Sequence, residues 1–490
     1  MKLESLIIRN FRGFKECRVS FTPQTTIVIG QNGAGKTALI DAIKIALSFI
    51  FSNNNKLGDD ILSAGNPSLN VNSFSNSDYY YDSGSRTTVT DASIKGVACY
   101  NGQQLEWELY KRSTANAALY STRYKKAFEQ FMFQWKEKSA DLPLIACFSD
   151  SFPHKPTKLT KFALNTIDKE RIPRNFGYYQ WDLETACISI WETRLCKQLL
   201  GIAPLYQRLN KISSLMQSLE IKYTKEELLC NDDYQSAKDE EKSISIQYIP
   251  LYEEINFVQS KLVEFSKLLP NMKDRQYDID SLVFATTNDS LELKIMFKNG
   301  KSSPFKDLPA GYRRLYSIVL DLAYRSYILN EKKEPSGVVL IDEIDLHLHP
   351  SLEEEVVQCF TKVFPYVQFI FTSHSAAVVA NLETNKKMIA EGYSPDVFAN
   401  QVLFLEENQE VAERLPIIYG LDYNSTLRDF MGTASRNREI KKGGDDYLVY
   451  CSLGMKTEAE TTLRELTDKL GHEHEFIKEL IEKARSYDVY

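Results

Sequence analysis

No run of apolar residues in this chain approaches the length of about eighteen that marks a membrane-spanning helix, which argues against a helical membrane protein. No C-x-x-C pair occurs among the eight cysteines, so neither a zinc site nor a disulfide scaffold is indicated, and reduced thiols in a cytosol are the simplest reading. Proline and glycine are sparse, at 16 and 21 of 490 residues, while 43% of the chain is hydrophobic. That excludes a disordered chain and leaves apolar material for about two or three domains' worth of core. Positive charge is also in short supply. A net charge of −7 carries no overall basic signature, so any nucleic-acid site has to be a local patch or belong to a partner. The opening Met1-Lys2-Leu3-Glu4 places an acidic residue before its first apolar run, which does not fit a secretory signal, and a cytoplasmic location is expected. No internal repeat is present.

Gly30-Gln31-Asn32-Gly33-Ala34-Gly35-Lys36-Thr37 reads G-x-x-x-x-G-K-T and follows the β-branched run Thr25-Thr26-Ile27-Val28-Ile29. Glycines let consecutive backbone N–H groups wrap phosphates, a lysine reaches the β- and γ-phosphates, and a hydroxyl reaches Mg²⁺. Gly30, Asn32, Gly33, Gly35, Lys36 and Thr37 are therefore the candidate nucleotide-binding residues, with Thr37 also a candidate metal residue. The apolar positions from 38 to 47 predict a helix whose N-terminus faces the anion. Chance would bring the four fixed positions together roughly 1–2% of the time in a chain this long, and the strand-loop-helix context lowers that further.

Residues 3–9 and 25–29 read as strands with a turn at 11–14 between them; 52–55 and 70–85 are polar and read as loop. Residues 93–100 and 103–110 flank Asn101-Gly102, a strong signal for a hairpin with a type I′ turn. A buried strand is expected over 142–148. The segment 151–278 reads as a helical insertion, with helices over 182–200 and 249–269, too short for a long coiled-coil arm. A second hairpin over 281–297 returns the chain to β-structure. Helix 311–330, strand 338–341, helix 351–363, strand 367–371, helix 375–382 and strand 401–405 then alternate as in an α/β sheet. The expected organisation is an N-terminal lobe over 1–150, the insertion, a C-terminal lobe over 279–435 and a helical tail over 436–490.

Val338-Val339-Leu340-Ile341-Asp342-Glu343 is an apolar run closed by two carboxylates. The first carboxylate suits Mg²⁺ and the second suits a general base that polarises the attacking water, so Asp342 is the candidate metal residue and Glu343 the catalytic one. His347 and His349 stand two residues apart just after this strand, a poor spacing for helix-based metal ligation.

"LIIRNFRGF", "GQNGAGKT", "LPAGYRRL", "VVLIDEIDLHLHP" and "FIFTSHS" together resemble the ABC-type ATPases related to the structural-maintenance-of-chromosomes, RecF and OLD proteins, over about residues 1–150 and 280–410. The resemblance implies an α/β P-loop ATPase head, a mixed sheet with flanking helices. It also implies ATP and Mg²⁺ as ligands and a homodimer or higher homo-oligomer formed through the heads. Gly311 would open a signature helix that meets the γ-phosphate held by a second subunit, Asp345 would be the D-loop aspartate, and His374 the switch histidine that senses the γ-phosphate. Pro309-Ala310 stands where the signature has its serine, so rapid hydrolysis is not expected, and no glutamine lies within 142–150, where the Q-loop belongs. "IYGLDYNSTLRDFMGTASRNREIKK" is similar to the ATPase subunits of Septu-type anti-phage systems (PtuA), which act with a separate HNH-type nuclease. A regulatory ATPase of a defence complex, touching nucleic acid through that complex and no membrane, is the function this similarity implies.

Two other functions compete. An OLD-type nuclease needs a glutamate and then a D-x-D pair; Glu406-Glu407 imitates the first, but no D-x-D follows. A RecF-like repair or recombination ATPase needs a basic face, for which Arg12, Lys15, Arg18, Lys111 and Arg112 are thin material, since such scatter is more often a solvated surface.

Overall fold

The computed structural model describes every residue except 53–68, 83, 85, 114–117, 138, 150–158, 183–185, 271–275, 288–289, 389–396, 407–408, 416–417, 424, 427–437, 473 and 486–490. The loop expected at 53–55, the second glutamate of the Glu406-Glu407 pair and about half of the Septu-like segment therefore lie outside the described residues. The chain divides into two compact units, Met1–Gly420 and Leu421–Tyr490.

In the first unit β1 (Lys2–Phe11) and β2 (Phe14–Ser20) pair antiparallel around Arg12-Gly13, and β3 (Thr25–Ile29) follows. The turn expected at 11–14 thus opens an extra strand. Lys15, Glu16 and Arg18 leave only Phe14, Cys17 and Val19 buried in β2, too few for its alternation to show in the sequence. After α1 (Lys36–Leu47) come a two-residue ribbon of β4 (Tyr81–Asp82) and β5 (Thr87–Thr88), then the long hairpin of β6 (Asp91–Tyr100) and β7 (Gln103–Arg112). Asn101 and Gly102 have φ of 49° and 75°, the two positive values that a type I′ turn requires. The strands order as β2-β1-β6-β7. Trp107 of this sheet stacks on Phe49 at 4.0 Å and donates its indole N–H to Ala46 O at 2.9 Å, fastening the sheet to the end of α1.

Next come α2 (Lys125–Glu137), β8 (Leu144–Phe148) and α3 (Lys161–Ile167). The long helices α4 (Ile188–Lys222) and α6 (Asp232–Leu268) are bridged by α5 (Lys225–Leu229). Arg194 pairs with Glu254 and Arg208 with Glu240, so the two helices run antiparallel. At 35 and 37 residues they reach about 50 Å at 1.5 Å per residue, and the helices are much longer than expected from sequence. Pro204 and Pro250 lie inside them, where proline ordinarily ends a helical pattern.

The second antiparallel group is β9 (Ile279–Thr287), β10 (Ser290–Phe297) and β11 (Ser302–Pro304). The remaining elements are α7 (Ala310–Asn330), β12 (Gly337–Ile341), α8 (Pro350–Glu353), α9 (Val356–Val363), β13 (Val367–Thr372), α10 (Ala376–Ala380), β14 (Asn400–Phe404) and β15 (Glu413–Arg414). The helix expected over 351–363 is thus two helices. The central sheet orders as β15-β14-β3-β13-β12-β8, parallel from β14 to β8. Every residue of β3, β8, β12 and β13 is buried, as befits parallel strands covered on both faces. The architecture is the expected mixed sheet with flanking helices. Such sheets bind ligands beyond the carboxyl ends of their strands, and the P-loop, Asp342-Glu343 and Ser373-His374 all leave from those ends.

The second unit contains the helices Arg438–Ser452, Lys456–Leu470 and Glu475–Arg485 around a core that includes Tyr447, Leu466, Phe476 and Leu480. Among the described residues, no helix is long and apolar enough to cross a membrane.

Candidate nucleotide site

The P-loop leaves β3 at Gly30, where a Cβ would fall 2.3 Å from Leu405 O, an approach that only glycine allows. Gly35 has φ 95°, and a Cβ there would lie 2.8 Å from the Phe14 ring. Gly35 is also the N-cap of α1. It offers no side-chain cap, and no acidic residue stands in the first turn, so the first N–H groups and the positive end of the helix are left for an anion. Lys36 Nζ donates to Gly30 O at 2.9 Å and Gln31 O at 3.1 Å, curling over the loop. Burial lowers the Lys36 pKa, against the opposing pull of Asp342, Glu343 and Asp345. Asn32 and Gly33 are exposed at the tip of the loop.

Thr37 Oγ1 donates to Asp342 Oδ2 at 2.9 Å, joining the P-loop to the end of β12 across 305 positions of sequence. β13 lies between β3 and β12, so its last residue, Thr372, lands beside both. The Thr372 hydroxyl donates to Asp342 Oδ1 and accepts from Glu343 N at 2.8 Å. Arg314 of α7, fully buried, donates from Nη2 to Asp342 O at 2.8 Å and from Nη1 to Glu343 O at 2.5 Å. Glu343 has φ 49°. A non-glycine residue held there costs about 1–3 kcal/mol, and Thr372 and Arg314 grip its N–H and its C=O respectively. The sequence reading gave roles to neither. A hydroxyl closing a buried strand was a usable signal for Thr372; Arg314 had none, because an arginine in a helix ordinarily reads as exposed.

Asp345 accepts from His374 N at 3.3 and 3.4 Å, so the structure brings these two together. Gly311 lies in the first turn of α7, where a Cβ would sit 2.8 Å from His347 O, so close packing within the chain already accounts for a glycine. His349 caps α8 by accepting from Ser351 N at 3.3 Å, and His347 is exposed. Asp342 N donates to Phe148 O at 2.8 Å, so the strand read over 142–148 ends beside the site, with Ser149 next along the chain. Of the basic residues considered for nucleic acid, Arg12 is paired with Asp41 and Asp78, Arg18 with Glu16, and Lys111 donates to Phe74 O.

Among the described residues, no group of three or more His, Cys, Asp or Glu could hold a metal unaided. The Thr37 hydroxyl and the Asp342 carboxylate are hard oxygen donors, and such a pair suits Mg²⁺, which is commonly held by one or two protein oxygens together with substrate phosphates.

Among curated proteins, the Retron Vc95 probable ATPase of Vibrio cholerae serotype O1 biovar El Tor is 24% identical over 440 residues, 80% of this chain and 74% of its own length. The Retron Ec83 probable ATPase of Escherichia coli is 24% identical over 415 residues, 78% of this chain and 70% of its own length. The Septu protein PtuA of Bacillus mycoides is 27% identical over 175 residues, 34% of this chain and 23% of its own length. Among solved structures, the Smc head domain derived from Pyrococcus furiosus shares 13% identity with a TM-score of 0.41, over 88% of this chain and 99% of that one. A sequence profile of the AAA ATPase domain matches residues 1–379, which hold the P-loop, Asp342, Glu343 and His374, and the chain belongs to that family of nucleotide-binding ATPases.

Proposed function

We propose that this chain is the ATP-binding and ATP-hydrolysing regulatory subunit of a bacterial anti-phage defence complex and that it controls a partner nuclease of the HNH type. The Thr37–Asp342 hydrogen bond, beside Lys36 and the clamped Glu343, is the observation that carries the catalytic part. The defence part rests on the similarity to the retron ATPases and to PtuA.

In this reading Lys36 exchanges the Gly30 and Gln31 carbonyls for phosphate oxygens, and the open first turn of α1 supplies N–H donors. Mg²⁺ held by Thr37 and Asp342 would neutralise charge on the β- and γ-phosphate oxygens. Glu343 polarises the attacking water and takes its proton on a carboxylate oxygen, while His374, tied through its backbone to Asp345, meets the γ-phosphate. Thr372 and Arg314 position Glu343 without touching substrate. Two heads would close on two nucleotides, each presenting the Gly311 end of α7 to the other's phosphate. Differential affinity of the open and closed dimers for ATP would set the state of the effector.

The test is to look for an HNH nuclease gene next to the gene for this chain and to reconstitute the two proteins. Alone, with Mg²⁺ and DNA, the chain is expected to hydrolyse ATP slowly and cut nothing; with the partner, cleavage should respond to ATP and to Glu343→Gln. Robust cutting by the chain alone, abolished by a substitution after residue 400, would move the assignment to an OLD-type nuclease.

A further inference from the structure

A cavity of about 340 Å³ lies at the foot of the helical arm, between the first turns of α4 and the hairpin of β10 and β11. It shares no residue with the nucleotide site. Its wall is largely apolar, with Leu293 and Pro304 on one side and the Cys196 thiol and Thr193 on the other.

Two carboxylates, Glu192 and Glu292, and two ammonium groups, Lys197 and Lys306, line this cavity, and the ion pairs formed leave one carboxylate over. Lys306 Nζ is paired with Glu292 Oε1 at 2.5 Å, and Lys197 is paired with Asp168, so both cations at the rim are taken. Glu192 also lines the cavity, yet makes no hydrogen bond or ion pair among the described residues. Burial, with the Glu292 carboxylate adding to it, pushes the Glu192 carboxyl up to about 7, against the pull of Lys306. Burial, Glu192 and Glu292 likewise push the Cys196 thiol up to about 11, so it stays neutral. A carboxylate without a partner beside an apolar wall is costly until a cation meets it. Among the described residues, no three metal-ligating side chains are placed to hold a metal ion here, so the missing charge is better supplied by an organic cation than by a bare metal ion.

We propose that this cavity binds an alkylammonium group, its nitrogen paired with Glu192 and its carbon chain laid along Leu293 and Pro304. The group can come from a free amine or from the lysine side chain of a partner; the chemistry is the same. Lys306 O accepts from Arg313 Nη1 at 2.9 Å, so an occupant touches the segment that leads into α7.

Calorimetric titration of the full chain with n-pentylamine and, separately, with Nα-acetyl-lysine amide tests this. Glu192 is mostly protonated at pH 6 and mostly ionised at pH 8, whereas the amine stays charged throughout. Affinity should therefore rise about tenfold between pH 6 and pH 8, and binding at pH 6 should release a proton, seen as a buffer-dependent heat. Glu192→Gln, which keeps the side chain's size, should lower affinity at pH 8 by about tenfold or more and remove the pH dependence, with ATP binding unchanged. Tighter binding of pentylamine identifies a free amine as the ligand, and tighter binding of the lysine amide identifies a partner's side chain. No saturable heat from either probe at pH 8, or equal affinity in the variant, overturns the proposal. The wild-type pH dependence is informative even if the variant does not fold.

Discussion

α6 and α1 treat their N-termini in opposite ways. At α6 the Asn231 side chain accepts from Tyr234 N at 2.9 Å, and Asp232 and Asp233 occupy the first turn. Its orphan donors and its positive end are satisfied from within the chain, as structural helices require. Thr160, Thr224 and Ser375 likewise cap α3, α5 and α10, and α5 also has Glu226 and Glu227 in its first turn. Even α4, which has no capping side chain of its own, has Cys187 N held by Asp321 Oδ1 of α7 at 3.0 Å. α1 has none of this, and α7, which carries Gly311, also begins without a side-chain cap or an acidic residue. α9 begins without either as well, so an open start alone names no ligand. At α1 the P-loop and Lys36 stand beside the open end and make the nucleotide phosphate its partner, and for α7 the proposed dimer supplies one.

The largest expected effect tests the open end directly. Lys36→Ala should weaken ATP binding by about a hundredfold or more, since it removes the cation that reaches the β- and γ-phosphates. A fluorescent-nucleotide titration showing unchanged affinity would remove the P-loop from binding and leave the uncapped α1 without a purpose. Next is Glu343→Gln. Loss of a positioned base should cut turnover about 10²–10⁴-fold while ATP still binds, and an ATP-bound dimer should accumulate in gel filtration. Undiminished turnover would take the general-base role from Glu343. Thr372→Val is smaller, because it removes one hydrogen bond to Asp342 and one that holds Glu343 N. Turnover should fall about tenfold, corresponding to about 1.4 kcal/mol, with KM unchanged. Wild-type turnover in this variant would show that Glu343 keeps its φ of 49° without the hydroxyl.

How much of this was legible in the sequence follows from how each feature is encoded. The P-loop and Asp342-Glu343 are contiguous strings at the ends of apolar runs, and Asn101-Gly102 is a two-residue turn signal; local chemistry suffices for each. β2 was missed because charges interrupt its alternation. The arm was underestimated because Pro204 and Pro250 sit within helices that continue through them. Thr372 and Arg314 owe their roles to strand order, with β13 between β3 and β12 and α7 packed so that its arginine reaches the carbonyls after β12. No local pattern carries that information. Gly311 shows the converse: its string suggested a phosphate contact, while the fold adds a packing reason for the same glycine.

The smallest effect belongs to the closed end. Asn231→Ala removes the cap of α6 and should cost about 1 kcal/mol locally, the usual worth of such a cap. Unfolding of a chain this large need not be two-state, so the reading is amide exchange over the first turn of α6 rather than a global midpoint. Protection there should fall about fivefold, while ATP affinity and turnover stay at wild-type values. A change in ATP affinity would mean that the tip of the arm is coupled to the nucleotide site over the length of α6, and the division between helix starts closed for stability and helix starts open for ligand would fail at its simplest instance.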